Sequence, residues 1–595
     1  MSTEEKKSKQ ISRRDFVKSA VVGTAAVAGG TILAGCAPKT ATTEAAAPAA
    51  AVAPTSAPCP VTTEGTPVMT ADLASQKWSF EIPPAPIADA DIANTVETEI
   101  VVVGGGTAGL VCANSAAENG AKVVLISAAS APSYRGGSMF GAYSKIMEKA
   151  GIDRLDIGQY FKRELSSASY NVDEAKWWKF YNNSEEAIGW LIEKMEAAGY
   201  ECVLELANYD PDNGPMNVTA GSHSFISKDM TMAGSGAQFV AETLAKTALA
   251  SGVQIIYKMV AEQLVREDNN TGRVSAVIAK GEDGKYTKYV GSKGIVLATG
   301  DFSADKEMMK KYCPWAMPLL SDAGDQGYDT NLKVGGLFKG DGQKMGLWIG
   351  AAWQKTYPNA PMILVGAGGA GIPSTQPYGA FRGLMINKNG VRYGNEDVNG
   401  SYAGIQLMHQ PEMKAYGIWD ADYAEKSAPW HFFGSKVGDD PVAPADVVKK
   451  WEAGVEKKTF FKGNTVEEVI SQMGLPADVT KATVDRYNEL ANKGEDSDFH
   501  KRKELLLPIE KGPFYGTACD APTFLTVMGG LRTNVNLQVC DENDQPIPGL
   551  FNVGTMVGDY YANCYNFSVP GNNYGGNCLT FGYVTGRAIA KGEIA

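Results

Sequence analysis

Three glycines, at 104, 106 and 109, stand between the β-branched run Thr98 to Val103 and an apolar segment that begins at Thr107. That spacing suits the pyrophosphate of a dinucleotide. Gly104 makes the tight turn, Gly106 lets the phosphates reach the backbone, and Gly109 allows helix to pack closely on strand. The helix N-terminus at Thr107 and Ala108 then faces the phosphates. The helix is expected to run to about Asn119, where Gly120 stops it, and Lys122 to Ile126 supplies the next strand. An acidic residue ordinarily ends that strand and holds a ribose. Here the position is Ser127, whose hydroxyl can still hydrogen-bond the ribose but not in bidentate fashion. A second strand, Gly294 to Ala298, runs into Thr299-Gly300-Asp301, which on its own is either an ordinary strand end or a return of the chain to the dinucleotide; its register with the first motif favours the return. Before it, Gly252 to Lys280 reads as strands with a turn at Asn269 to Gly272.

Ahead of this machinery lies an address. Arg13-Arg14 follows Lys6, Lys7 and Lys9 and precedes an apolar segment from about Val17 to Leu33, the layout of a twin-arginine export signal. Gly23, Gly29 and Gly30 interrupt that segment, which is short for a spanning helix. Leu33-Ala34-Gly35-Cys36 reads either as a lipobox, with Cys36 lipidated, or as sequence beside an ordinary cleavage site. The stretch from Ala37 to about Thr66 is rich in Ala, Pro and Thr and is expected to be a flexible tether. Without residues 1–35, which carry six Lys/Arg and three Asp/Glu, the net charge moves from −12 to −15. So acidic a chain argues against nucleic acid and against a basic membrane-binding face. Nine cysteines contain no C-x-x-C, and the four histidines (223, 409, 431, 500) are scattered, so neither haem attachment nor a metal site is expected. Cys112 and Cys578 are expected as buried thiols.

Several further motifs stand in order: R-G-G-S-M (135–139), A-T-G-D-F-S-A-D-K-E-M (298–308), G-D-G-Q-K-M-G (340–346) and I-N-K-N-G-V-R-Y-G-N-E (386–396). V-M-G-G-L (527–531), I-P-G-L-F-N-V-G (547–554) and G-G-N-C-L-T-F-G-Y (575–583) follow. With V-V-V-G-G-G-T-A-G-L (101–110), this series resembles the soluble fumarate reductase, urocanate reductase and 3-ketosteroid dehydrogenase group of FAD enzymes, from about Glu97 to Ala590. The resemblance implies an α/β protein: a Rossmann-like FAD domain of the two-dinucleotide type in two pieces, 96–355 and 515–595, with an α+β cap, 356–514, inserted between them. Residues 1–35 are then the signal and 36–95 the tether and lead-in. It also implies Gly136, Gly137 and Ser138 along the cofactor, Val260 near adenine, and Thr299, Gly300 and Asp341 within cofactor-side motifs. Gly554, Gly576, Asn577 and Leu579 fall at the flavin end, and Asn395-Glu396 where the cap meets the flavin.

The chain departs from that group where charge matters. The fumarate reductases' acid arginine, four residues after N-E, falls on Gly400, and their second arginine on Asn573. Their two histidines before M-G-G are Leu525 and Thr526, and the ketosteroid dehydrogenases' tyrosine before P-G is Val569. A dicarboxylate would lose charge-assisted contacts of ~1.5–3 kcal/mol each. The loop Gly558 to Asn566 is longer than its family counterpart and densely aromatic, and Tyr402 lies two residues from Gly400. Tyr402, Tyr560 and Tyr561 are therefore candidate catalytic donors, neutral with a pKa near ~10, or else they pack the cap against the FAD domain. Arg382 lies outside the usual site by its spacing. The picture resembles the exported reductases of anaerobic bacteria. The expected function is a lipid-anchored FAD reductase of an activated C=C bond, fed by a separate cytochrome or flavoprotein. The alternatives are a ketosteroid-type dehydrogenase on the same fold, which the L-T-F-G-Y motif resembles, and a substrate-binding lipoprotein.

Overall fold

Ile100, Val101, Val102 and Val103 are buried on both faces of the sheet, as a β-branched strand between parallel neighbours must be. The computed structural model describes residues 77–205, 221–230, 236–322, 327–329, 335–365, 383–398, 400–426, 436–440, 443–519, 522–566 and 571–594. In chain order the first elements are β1 (Ile92–Val103), α1 (Thr107–Glu118), β2 (Val123–Ile126), β3 (Met139–Phe140), α2 (Ile157–Ser167) and α3 (Glu174–Ala197). Then come β4 (Glu201–Leu204), β5 (Ser222–Ile226), α4 (Ala237–Ala250), β6 (Gln254–Ile256), β7 (Met259–Arg266), β8 (Val274–Gly281), β9 (Tyr286–Leu297) and α5 (Asp341–Trp348). The strands expected between Gly252 and Lys280 are thus β6, β7 and most of β8.

The middle of the chain holds β10 (Ala360–Leu364), β11 (Leu384–Asn387), α6 (Gly400–Met408), β12 (Ala415–Asp420), α7 (Pro444–Glu456), β13 (Phe460–Gly463), α8 (Val466–Gln472) and α9 (Ala477–Lys493). It closes with β14 (Phe514–Cys519), β15 (Thr523–Met528), β16 (Gln538–Cys540), β17 (Pro546–Asn552), a π-helix (Tyr574–Thr580) and α10 (Phe581–Lys591). The main sheet runs β16-β17-β9-β1-β2-β6, with the β7–β8 hairpin leaning on β9. The last part of the chain therefore returns to the sheet that the first part builds, through the parallel pair β17–β9.

Helix α1 packs closely on α10 because small residues face each other. A Cβ on Gly586 would lie 2.3 Å from the Cys112 carbonyl oxygen, and one on Gly582 2.9 Å from that of Ala108. Cys112 and Cys578 are buried free thiols.

The inserted segment folds around an antiparallel sheet, β11-β12-β14-β13. Period-two alternation splits its sides: Ile418 joins Leu384, Val469 and Tyr487 on one face, while Trp419 joins Trp451 and Tyr515 on the other. Strand β14 pairs with β12 and β13, so this sheet takes in residues up to Cys519. The leaving strand β10 and the returning strand β15 pair antiparallel and form the stalk of the cap.

Candidate active site

The three glycines of the first loop are constrained differently. Gly104 has φ +122, and a Cβ there would lie 2.2 Å from the Ala298 carbonyl oxygen. A Cβ on Gly109 would lie 2.0 Å from the Gly104 carbonyl oxygen. Both are closed off by protein. Gly106 is not: its nearest protein atom would be Ser133 O at 4.0 Å. The space before it lies at the N-terminus of α1, where no side chain among the described residues caps the first turn, and Thr107 Oγ1 is buried near the Tyr574 hydroxyl. An open backbone cradle with unspent donors is what a pyrophosphate fills. Ser127 adjoins the loop, its Oγ 2.7 Å from where a Cβ on Gly105 would stand, and its carbonyl accepts Met259 N at 2.9 Å, which brings Val260 alongside.

From this end the expected residues follow in line. Thr299 Oγ1 accepts Gly342 N at 3.1 Å, next to Asp341 at the start of α5, and the Gly300 carbonyl accepts Gln343 Nε2 at 2.9 Å. The Tyr328 hydroxyl donates to Asp341 at 3.0 Å, and burial raises the Asp341 carboxyl above its usual range. Gly554 abuts Ala108, and its N–H donates to the Asn577 carbonyl at 2.8 Å. Asn577 lies with Gly576 in the π-helix and donates through Nδ2 to Asn573 Oδ1 at 3.1 Å, while its own Oδ1 has no partner. Gly136 (φ +74) is exposed beside the half-buried ring of Tyr574, and Gly137 and Ser138 follow it inward.

Residues 99–571 match the family model described as "FAD binding domain". The chain belongs to this FAD-binding family. It is 27% identical to the vinyl phenol reductase of Lactiplantibacillus plantarum over 82% of its own length and 94% of the relative's. It is 26% identical to a probable fumarate reductase of Shewanella frigidimarina over 86% and 81%. A 3-ketosteroid-Δ4-(5α)-dehydrogenase from Rhodococcus jostii superposes with a TM-score of 0.64 at 24% identity, covering 85% of this chain and 99% of that one. The flavocytochrome c3 fumarate reductase in its open form gives 0.57 at 22%, covering 89% and 84%. The protein is an FAD-dependent oxidoreductase of the kind that works on C=C and CH–CH bonds, and the Gly106 cradle and the α1 N-terminus fit the FAD pyrophosphate.

Three groups of residues expected at the flavoenzyme's site are placed differently. Asn395 donates to the Phe499 carbonyl at 3.0 Å and accepts Asp397 N at 2.7 Å. Glu396 takes Arg392 Nε at 3.0 Å, Arg392 Nη2 at 2.8 Å and Lys501 Nζ at 3.3 Å. Both side chains make these bonds within residues 392–501. Leu579 packs entirely into the core beneath the π-helix, so only its backbone remains for a cofactor. Tyr560 has no exposed surface: it stacks on Trp177 at 4.4 Å and 6°, with its hydroxyl beside Asn572 and Gly576. Tyr561 lies edge-on to both Trp177 and Tyr560 and accepts Asn572 Nδ2 at 2.9 Å. Tyr560 thus packs on Trp177, and Tyr561 holds Asn572. Lys176 Nζ, buried, donates to the Gly558 carbonyl at 2.8 Å and fixes the loop's start.

Tyr560→Phe is expected to leave stability in urea within about 0.5 kcal/mol of wild type and flavin content unchanged. Tyr561→Phe removes an accepted hydrogen bond and is expected to cost about 1 kcal/mol. Loss of turnover in Tyr560→Phe at full flavin content would restore its catalytic reading.

Tyr402 remains half-buried at the cap edge, beside Cys564 and hydrogen-bonded to Ser167 and Asn566. Burial, then the Cys564 thiol, push its phenol up to about 12, so it stays a donor at neutral pH. The structure thus joins Tyr402 to the end of the aromatic loop while Tyr560 faces away into the core. Arg382 lies outside the described residues.

Two residues enter the site that the sequence did not single out. Arg135 stands 3.3 Å from Asp301 and donates to the Leu525 carbonyl, and Thr526 Oγ1 shares Asp301 at 2.5 Å. It therefore reaches the two positions where the fumarate reductases are expected to carry histidines. Its signal was its place immediately before G-G-S. Glu205 gave no signal. It is buried, lies against the Ser138 hydroxyl, and among the described residues its Oε1 has no partner. Burial pushes its carboxyl from an ordinary 4.5 up to about 7, against the lowering effect of Ser138. A raised folded pKa means that the native state holds the proton longer than the unfolded chain. Stability is thus highest below pH 4.5 and falls until about 7, by up to about 3 kcal/mol from this group. Thermal unfolding of wild type and Glu205→Gln should diverge across that window, the variant gaining relative stability as pH rises. A pH-independent difference would contradict the shift.

Proposed function

We propose that the protein is an exported FAD reductase of an activated C=C bond conjugated to an aryl or enone group, not of fumarate. The observation that carries this reading is Asn573. It stands where the fumarate reductases place a substrate arginine, and its side chain is a neutral amide held by Thr555 Oγ1 at 3.1 Å and by Asn577 at 3.1 Å. Arg135, whose charge acts on Tyr574 of that loop, is balanced by Asp301. A flat apolar substrate instead finds the half-buried rings of Tyr574 and Tyr402 and the partly buried Leu525. The relation to a vinyl phenol reductase supports an aryl alkene. FAD supplies the hydride when bound. Tyr402 and Arg135 supply hydrogen-bond donors at the far side of the substrate, where negative charge builds as the bond is reduced.

The twin arginine Arg13-Arg14 and the Cys36 lipobox support export and a lipid tether on the outer face of the cytoplasmic membrane. Electrons then come from a separate cytochrome or flavoprotein. A viologen-coupled assay over vinyl phenols, aryl acrylates, urocanate, enone steroids and fumarate tests the reading. Aryl alkenes should turn over at least about 100-fold faster than fumarate, the equivalent of one lost clamp. Equal rates would refute it, and dye reduction by saturated ketones alone would favour the dehydrogenase alternative.

A further inference from the structure

A buried carboxyl group lies at the junction of the FAD domain and the cap. Glu205 ends β4, and three features meet there. Ser138 of the cofactor segment R-G-G-S donates its hydroxyl to Glu205 Oε2. Gly571, leading into the last glycine loop, presses on the same residue, since a Cβ there would lie 2.3 Å from the Ser138 carbonyl oxygen. The cap contributes Lys436, whose backbone forms an isolated antiparallel bridge with Glu205, while Val437 N donates to the Leu204 carbonyl at 2.9 Å.

Among the described residues no cation is paired with this carboxyl group. The Lys436 ammonium lies 4.0 Å from Asp439, and neighbouring His223 on β5 is occupied by Ser144 Oγ at 2.6 Å and the Met139 carbonyl at 3.2 Å. Burial pushes His223 down to about 4, so it is neutral at pH 7. Burial holds the proton on Glu205, and the Ser138 hydrogen bond works against it. Structural carboxylates in this protein look different: Glu396 and Asp496 are saturated by Arg392 and its neighbours. A buried acid with one free oxygen and one hydroxyl contact is arranged to give up a proton through that hydroxyl.

We propose that Glu205 and Ser138 form the proton relay of the reduction, Glu205 holding the proton and Ser138 Oγ passing it to the substrate carbon that does not receive hydride. This rests on the alkene-reductase reading above. With Glu205 protonated the shared hydrogen bond runs the other way, from the Glu205 O–H to Ser138 Oγ; that O–H bond breaks as Ser138 Oγ accepts the proton, and the Ser138 hydroxyl, turned toward the substrate, releases its own proton to carbon. The new C–H bond uses the electron pair left on carbon after hydride addition. Glu205 is left as carboxylate and is reprotonated from solvent before the next cycle.

The test uses the FAD-loaded protein and the variants Glu205→Gln, Glu205→Asp and Ser138→Ala. Infrared spectra without substrate should show a carboxylic C=O band that titrates near pH 7 in wild type and is missing in Glu205→Gln. Absence of that band in wild type at pH 6 overturns the proposal, whether or not any alkene is reduced. With an accepted alkene, flavin reoxidation should slow as pH climbs through 7. It should fall about 100-fold in Glu205→Gln and lose that pH dependence. Glu205→Asp should restore part of the rate. A Glu205→Gln enzyme with wild-type rate and pH profile overturns the relay. Failure of every alkene with the infrared band present overturns only the substrate reading.

Discussion

Gly106→Ala is expected to yield a folded, colourless protein, and Gly109→Ala no folded protein at all. The contrast follows from what each new methyl meets. At Gly106 the backbone has φ −83 and ψ 179, a conformation alanine adopts freely, and the nearest protein atom is 4.0 Å away. Only a bound pyrophosphate occupies that space, so the methyl displaces FAD and nothing else. A loss of about 100-fold in FAD affinity, about 2.7 kcal/mol, is the expected scale. At Gly109 the methyl would stand 2.0 Å from the Gly104 carbonyl oxygen and 3.3 Å from Val102 Cγ1. Backbone cannot yield there without moving α1 off the sheet, and α1 carries Leu110, Val111 and Ala113 into the core. Circular dichroism and flavin absorbance of the two variants separate the cases. A yellow Gly106→Ala protein with wild-type affinity would mean that the phosphates lie elsewhere.

The second large effect lies in the cap. Glu396 binds two buried cations, Arg392 and Lys501, and Arg392 also bonds Asp496 at 2.7 Å while lying 4.8 Å from the Phe499 ring centre. Glu396→Ala removes one anion and leaves the cations desolvated, a change that costs about 3–5 kcal/mol. The cap core of Leu384, Ile386 and Tyr487 packs around this cluster, so cap unfolding should appear in urea well before the FAD domain unfolds. Limited proteolysis should cut first within the cap while flavin stays bound. If Glu396→Ala leaves the cap intact but expels FAD, the cofactor role read from the N-E motif is correct after all.

The dinucleotide end was legible in the sequence because its determinants are local: a β-branched strand, three glycines and a helix within a dozen residues. The A-T-G segment was legible for the same reason. The aromatic loop was not, because the burial of Tyr560 is decided by Trp177, 383 residues earlier, whose indole N–H also holds the Tyr560 carbonyl at 3.0 Å. Asn395-Glu396 occupies the expected place in the chain, but its partners Phe499 and Lys501 arrive from more than a hundred residues on. Arg135 and Asp301 lie 166 residues apart, and no spacing rule pairs them. Glu205 and Ser138 meet only through β3-β5-β4, a sheet whose strands are too short and too separated to be read as one unit.

The most direct test of the account is a single-turnover experiment under anaerobic conditions. The FAD-loaded protein is reduced stoichiometrically, mixed with a vinyl phenol or with fumarate, and followed at the oxidised-flavin band. Fast recovery of that band with the vinyl phenol, and recovery slower by about 100-fold or more with fumarate, is the predicted result. Rapid reoxidation by fumarate, with the aryl alkene inert, would contradict the neutral site built around Asn573.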